Sequence, residues 1–166
     1  MRQLLLPLLL CAGQPAQCAA QELRNWFNDP FFAVSNAISG CPEPAGPRVT
    51  ESERLAQSHR RAEKGTTCWL AGEKDCARSS AFTYDAEIAE SIKSQAKSMN
   101  LAQTSLWVTV QGRVVYIEGC SLREGVGQEL ESVIRVLPGV QQALSNIAVG
   151  ASPRPTYRVF STLHRE

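Results

Sequence analysis

Histidine is scarce in this 166-residue chain, which carries only two, His59 and His164. That scarcity leaves little for general acid–base chemistry near neutral pH. A Ser-His-Asp arrangement would need one of the two buried and oriented. His59 sits beside Arg60 in a polar segment and His164 is the third residue from the C-terminal end. Cys-x-x-Cys pairs are missing, which disfavours a zinc site. No Gly-rich loop stands between a strand and a helix, so the phosphate-cradling motifs are absent. No basic stripe exists to neutralise phosphates, so nucleic acid is not an expected partner. Lys+Arg number 17 and Asp+Glu 16. Past the N-terminus no run approaches the roughly 20 apolar residues of a membrane-spanning helix.

What the N-terminus does have is a short charged start, Met1-Arg2-Gln3, followed by the apolar run Leu4-Leu5-Leu6-Pro7-Leu8-Leu9-Leu10 and the small residues Cys18-Ala19-Ala20. This order predicts a signal peptide over 1–20, cut near Ala20/Gln21. A lipid-modified cysteine normally follows Gly or Ala. Cys11 and Cys18 follow Leu10 and Gln17, so lipoprotein anchoring is not expected. Removing residues 1–20 takes away Arg2 and no acid, which leaves the charge balanced. The expected location is the periplasm or outside the cell. Cys41, Cys68, Cys76 and Cys120 survive cleavage, and an even number in an exported chain points to two disulfides rather than a metal site.

Residues 21–83 form an extension. It opens with the aromatic cluster Trp26, Phe27, Phe31 and Phe32, interrupted by Pro30. Pro42, Pro44 and Pro47 then impose a loop. Thr50 and Glu53 make a capping box, acids lead and bases follow, and Gly65 is a natural stop; the pattern predicts a helix over about 51–64. Leu55, Ala56 and Ala62 are its candidates to face a core. Gly72 marks a reversal between Cys68 and Cys76.

From Asp85 the pattern is regular. Asp85 can cap a helix over about 86–99 with Ile88, Ile92, Ala96 and Met99 on one stripe. Leu106, Val108 and Val110 alternate with Trp107 and Thr109 as a strand. Gln111-Gly112 turns into a second strand, Val114 to Ile117, closing at Gly119. A helix over about 123–137 ends at Pro138-Gly139, and a final strand covers Ser145–Val149. The expected core is Ile88, Ile92, Leu106, Val108, Val110, Val115, Ile117, Leu130, Val133, Leu137, Val140, Ile147 and Val149.

These residues resemble the BON domain, an envelope module of similar size. Asp85-Ala86-Glu87-Ile88-Ala89 with Ile92 is similar to its opening helix. Gly112 through Gly119 is similar to its turn, strand and closing Gly. Leu137-Pro138-Gly139-Val140, then Ala143, Asn146, Ile147 and Val149, is similar to its final signature. The family commonly turns at Asn-Gly or Asp-Gly, and Ala143 is smaller than its usual Val. The resemblance implies an α+β fold: an αββαβ module over 84–150, with both helices on one face of a small mixed sheet. To it would be added a disulfide-pinned N-terminal extension of helix and loop and a tail, 151–166. It implies a binding or scaffold role at the envelope, toward phospholipid or envelope proteins, with no catalytic residues and no cofactor. The alternative is a structural subunit or accessory factor of an envelope-spanning secretion complex. Oligomeric state stays open.

Trp107 should lie on the strand face opposite the helices. Either the extension or the tail Tyr157–Phe160 covers it, or it forms a partner or lipid surface; Trp26, Phe27, Phe31 and Phe32 pose the same choice. For the cysteines, Cys68–Cys76 and Cys41–Cys120 is the favoured pairing. Cys120 sits just past the second strand of the module, where it could staple Cys41 and its loop to the sheet. The competing reading leaves Cys120 as a buried free thiol.

Overall fold

In the computed structural model, residues 22–150 and 154–160 are described. The expected signal peptide, with Cys11 and Cys18, and His164 lie outside them. The segment from Asp85 to Val149 runs helix, strand, strand, helix, strand: α2 (Asp85–Ala96), β2 (Thr104–Gln111), β3 (Val114–Ser121), α3 (Val126–Arg135) and β4 (Gln142–Val149). The extension supplies β1 (Phe31–Asn36) and α1 (Glu51–Leu70), and a 3₁₀ turn, Ala81–Tyr84, leads into α2. The sheet is four-stranded in the order β1-β2-β3-β4. β1–β2 and β2–β3 are antiparallel, and β3–β4 is parallel.

Period-2 alternation gives this sheet two faces. Leu106, Val108, Val110, Val115, Ile117 and Ala143 face α2 and α3, where they meet Ile88, Ala89, Ile92, Val126, Leu130 and Ile134 in one buried cluster. Leu130→Ala should therefore lower unfolding free energy by about 2–5 kcal/mol, read from the urea midpoint. A loss below about 0.5 kcal/mol would contradict the helix phase. Five residues expected in the core sit less deeply. Val133, Leu137, Val140 and Ile147 are half-buried, and Val149 is 47% exposed. β4 is an edge strand, so its last residue has a strand neighbour on one side only.

Several local expectations are corrected. The extension is not confined to helix and loop: Phe31 and Phe32 start β1, which pairs Phe31 with Thr109 and Phe32 with Val108. Gly65 does not end α1. It is buried inside the helix, where an added Cβ would lie 3.2 Å from Ser80 Oγ and 3.3 Å from Phe82. The helix thus continues to Leu70 because the glycine is needed for close packing, not for a stop. Its capping box at Thr50 and Glu53 is present. Leu55 is 59% exposed, and Ala56 and Ala62 also face solvent; α1 buries Gly65 and Cys68 instead. α2 ends at Ala96, α3 begins after Gly125 and ends at Arg135, and β4 begins at Gln142.

The β2–β3 turn is Gly112-Arg113, not Gln111-Gly112. Gln111 pairs with Val114 and the ladder continues to Thr104 and Ser121 without a bulge. Both turn residues have positive φ, 58° and 69°, the two-residue turn that matches strand twist. An arginine in that conformation is unfavourable by about 1–2 kcal/mol. Asp85 offsets it. This residue was expected to cap α2, yet its side chain makes no cap bond. Buried to 3% exposure, it accepts from Gly112 N at 2.6 Å and Arg113 N at 2.8 Å. Arg113 in turn donates from Nε to Gly139 O at 2.8 Å. The resemblance residues Asp85, Gly112 and Gly139 thereby meet at one end of the module.

The cysteines form Cys41–Cys120 and Cys68–Cys76, with Cα separations of 5.9 and 5.8 Å. These are the favoured pairs. The first joins the Pro-rich loop to β3; the second closes the turn after α1.

Candidate functional site

The sheet face away from α2 and α3 carries Trp107 and Thr109 of β2, then Tyr116, Glu118 and Cys120 of β3, by the same alternation. The ladder sets Trp107 directly opposite Glu118, with Ala33 beyond Trp107 and Asn146 beyond Glu118. Cross-strand neighbours of this kind lie roughly 5 Å apart at Cβ. One row across four strands is thus Ala33, Trp107, Glu118 and Asn146.

The extension and the tail frame this face. Pro44 bridges to Val159, Ala45 N donates to Arg158 O and Phe160 N donates to Glu43 O. Tyr157 is buried. Its hydroxyl donates to Pro42 O at 2.8 Å and lies 3.7 Å from both Cys41 Sγ and Cys120 Sγ. Thr156 Oγ1 bonds Asn146 Oδ1. Trp107 is half-buried.

The four other aromatic candidates are also half-buried. Trp26 donates from its indole to Val49 O at 2.8 Å and has Arg24 and Arg54 at its ring. Arg61 lies between the rings of Phe27 and Phe82, 4.0 and 4.1 Å from their centroids. Arg48 lies over Phe31 and Phe160. Phe32 packs on the core cluster with Lys93 at its ring. Each of those four arginines also has an acid: Arg24–Glu22, Arg48–Glu43, Arg54–Glu51 and Arg61–Asp29. The layer is therefore aromatic, cationic and locally neutral at once. Arg61 and Asp29 bond through two contacts, 3.0 and 2.6 Å, and Gln111 Nε2 completes Asp29 at 2.6 Å.

Glu118 differs from these acids. Among the described residues its carboxylate has no ion pair or hydrogen-bond partner, and the residue is half-buried. Burial pushes its carboxyl above the ordinary carboxylate value. Burial, then the charge of Glu118, raises the Tyr116 phenol and holds Tyr157 at about 12. Sequence alternation already set Glu118 on the Trp107 face; nothing in the sequence reported that its charge would be left without a partner.

A raised folded pKa means that the protonated form favours the fold. The contribution of Glu118 is fully present below its unfolded value, about 4.3, and is lost as pH rises through the folded value. Glu118→Gln should then be more stable than the parent at pH 7, with the difference closing toward pH 4. Urea midpoints from pH 4 to 8 read this directly. A parent as stable as the variant at pH 7 would show that the carboxylate has a partner in solution.

Of the remaining candidates, His59 is exposed beside Glu63. Among the described residues no three His, Cys, Asp or Glu side chains are grouped to hold a metal. No described helix is long and apolar enough to cross a membrane. No protein-family model, curated protein or solved structure matches the chain.

Proposed function

We propose that this chain is an exported, non-enzymatic binding or scaffold protein of the cell envelope, built on a BON-like module. The observation that carries the reading is the helix–strand–strand–helix–strand order over Asp85–Val149, closed by a parallel β3–β4 pair. The buried acids have structural duties: Asp85 holds the hairpin turn and Asp29 holds Arg61 and Gln111. The two disulfides suit an oxidising compartment.

Between phospholipid and protein as the contact, protein is the better supported. A lipid-binding surface presents aromatic rings beside free cations. Here the arginines at the extension's rings are paired with acids, and Trp107 lies opposite Glu118. The second reading, lipid contact, draws on Trp69 and Leu70, which are exposed at the end of α1.

Co-sedimentation of the mature protein with phosphatidylglycerol vesicles, against phosphatidylcholine vesicles, separates the two. Protein left in the supernatant with both supports protein contact. Retention by phosphatidylglycerol that Trp69→Ala abolishes would overturn it in favour of lipid. Intact mass of the protein recovered from the periplasm tests export, with a cut near Ala20 expected; a chain retaining Met1 in the cytoplasm would contradict it.

A further inference from the structure

The edges of the sheet are treated unequally. β1 is interrupted by a register irregularity between Ala33 and Ser35, a device that turns an edge away from new partners. β4 has no such break over Gln142–Val149. Side chains of α3 instead cap one end of it. Glu131 accepts from Ser145 N at 2.7 Å and from Ser145 Oγ at 2.6 Å. Arg135 donates to Ala143 O at 3.4 Å, and the two caps pair with each other at 3.5 Å.

The capping stops at Ser145 N. Ala143 and Ser145 direct backbone groups away from β3, and Gly150 N points toward it, onto Ser121 O. Alternation gives Ile147 and Val149 the outward orientation. Four outward groups follow the caps: Ser145 C=O, Ile147 N–H, Ile147 C=O and Val149 N–H. They border a groove lined by Gly125, Gly127, Gln128, Ile147 and Val149. Gly127 lets α3 close on the strand, since a Cβ there would lie 2.5 Å from Ser145 Oγ.

We propose that β4 pairs antiparallel with β4 of a second copy of this chain, across a two-fold axis at Ile147. The four groups are self-complementary about that residue. Ile147 N–H and C=O meet their own equivalents, and Val149 N–H meets the second copy's Ser145 C=O, so two donors and two acceptors per chain are all used. The caps on Ala143 and Ser145 N set the register by leaving this stretch open among the described residues. Ile147 and Val149 from both copies then adjoin on the inner face, which covers Val149, the core candidate most exposed in the monomer. The result is an eight-stranded sheet with an isologous interface, the commonest symmetry for soluble oligomers. Four backbone bonds and four apolar side chains make a small interface and a weak dimer.

Sedimentation equilibrium of the full mature chain, from about 10 μM to about 1 mM, should show a monomer–dimer transition. Over the same range the Ile147 amide should gain hydrogen-exchange protection. Val149→Lys, at an exposed position, should weaken association about tenfold or more. Ile147→Pro should abolish it, because proline lacks the outward N–H but is tolerated on an edge strand; far-UV circular dichroism checks its fold. A monomer at every concentration would overturn the proposal. So would a dimer whose Ile147 amide exchanges freely, or one that Val149→Lys leaves unchanged.

Discussion

Replacing Cys41 with Ser and Cys120 with Ala is expected to lower unfolding free energy by about 4.5 kcal/mol, read as a shift in the urea midpoint under non-reducing conditions. The bond spans 79 residues of sequence. Cross-linking the unfolded chain over that length removes much of its loop-closure entropy. Domains of this size have only about 5–15 kcal/mol in total. Cys120 is fully buried and Tyr157 lies against both sulfurs, so the pair also anchors the tail. A loss below about 1 kcal/mol would mean that packing of the loop and tail, not the covalent link, holds the extension in place.

Gly119→Ala is expected to be the most damaging single methyl addition, at about 3 kcal/mol or more. Gly119 has φ of 144°, a region L-residues rarely enter. A Cβ there would lie 2.1 Å from Ser105 O and 3.0 Å from the Leu106 Cα. Both obstacles are backbone of the adjacent strand, so relief would require β2 to move as a whole. The thermal midpoint of the variant reads the effect. A variant within about 0.5 kcal/mol of the parent would show that β2 and β3 are farther apart at this position than the structure places them.

Much of the module was legible because its signals are local. Ile88 and Ile92 recur at helical spacing, Leu106, Val108 and Val110 alternate, and Pro138-Gly139 punctuates. The closing glycine at 119 has a cause the sequence does not display, the backbone of Ser105 against it. The misreadings share one origin, tertiary contact overriding local preference. Gly65 looks like a helix stop until Phe82 packs on it. Asp85 has the position of a cap, but two amides of a turn 27 residues away claim its carboxylate. Phe31 and Phe32 lack a long alternating run, and β1 forms because β2 offers a paired edge. Of the outer face, Trp107 could be placed by parity. That no described side chain pairs with the Glu118 carboxylate could not, because pairing depends on tertiary placement; the arginines at the extension's rings pair instead with Glu22, Asp29, Glu43 and Glu51.

The extension and the module form one folded unit, with the extension completing the sheet at β1 and framing its outer face. Native-state hydrogen exchange across increasing urea reads whether the two open together. The Ala37 amide, bonded to Thr104 O at 2.9 Å, and the Val110 amide, bonded to Pro30 O at 3.0 Å, are expected to open with the same free energy and urea dependence as the β2–β3 ladder around Val108 and Ile117. An Ala37 amide that exchanges through a low-energy opening, while Val108 and Ile117 stay protected to the global limit, would contradict it.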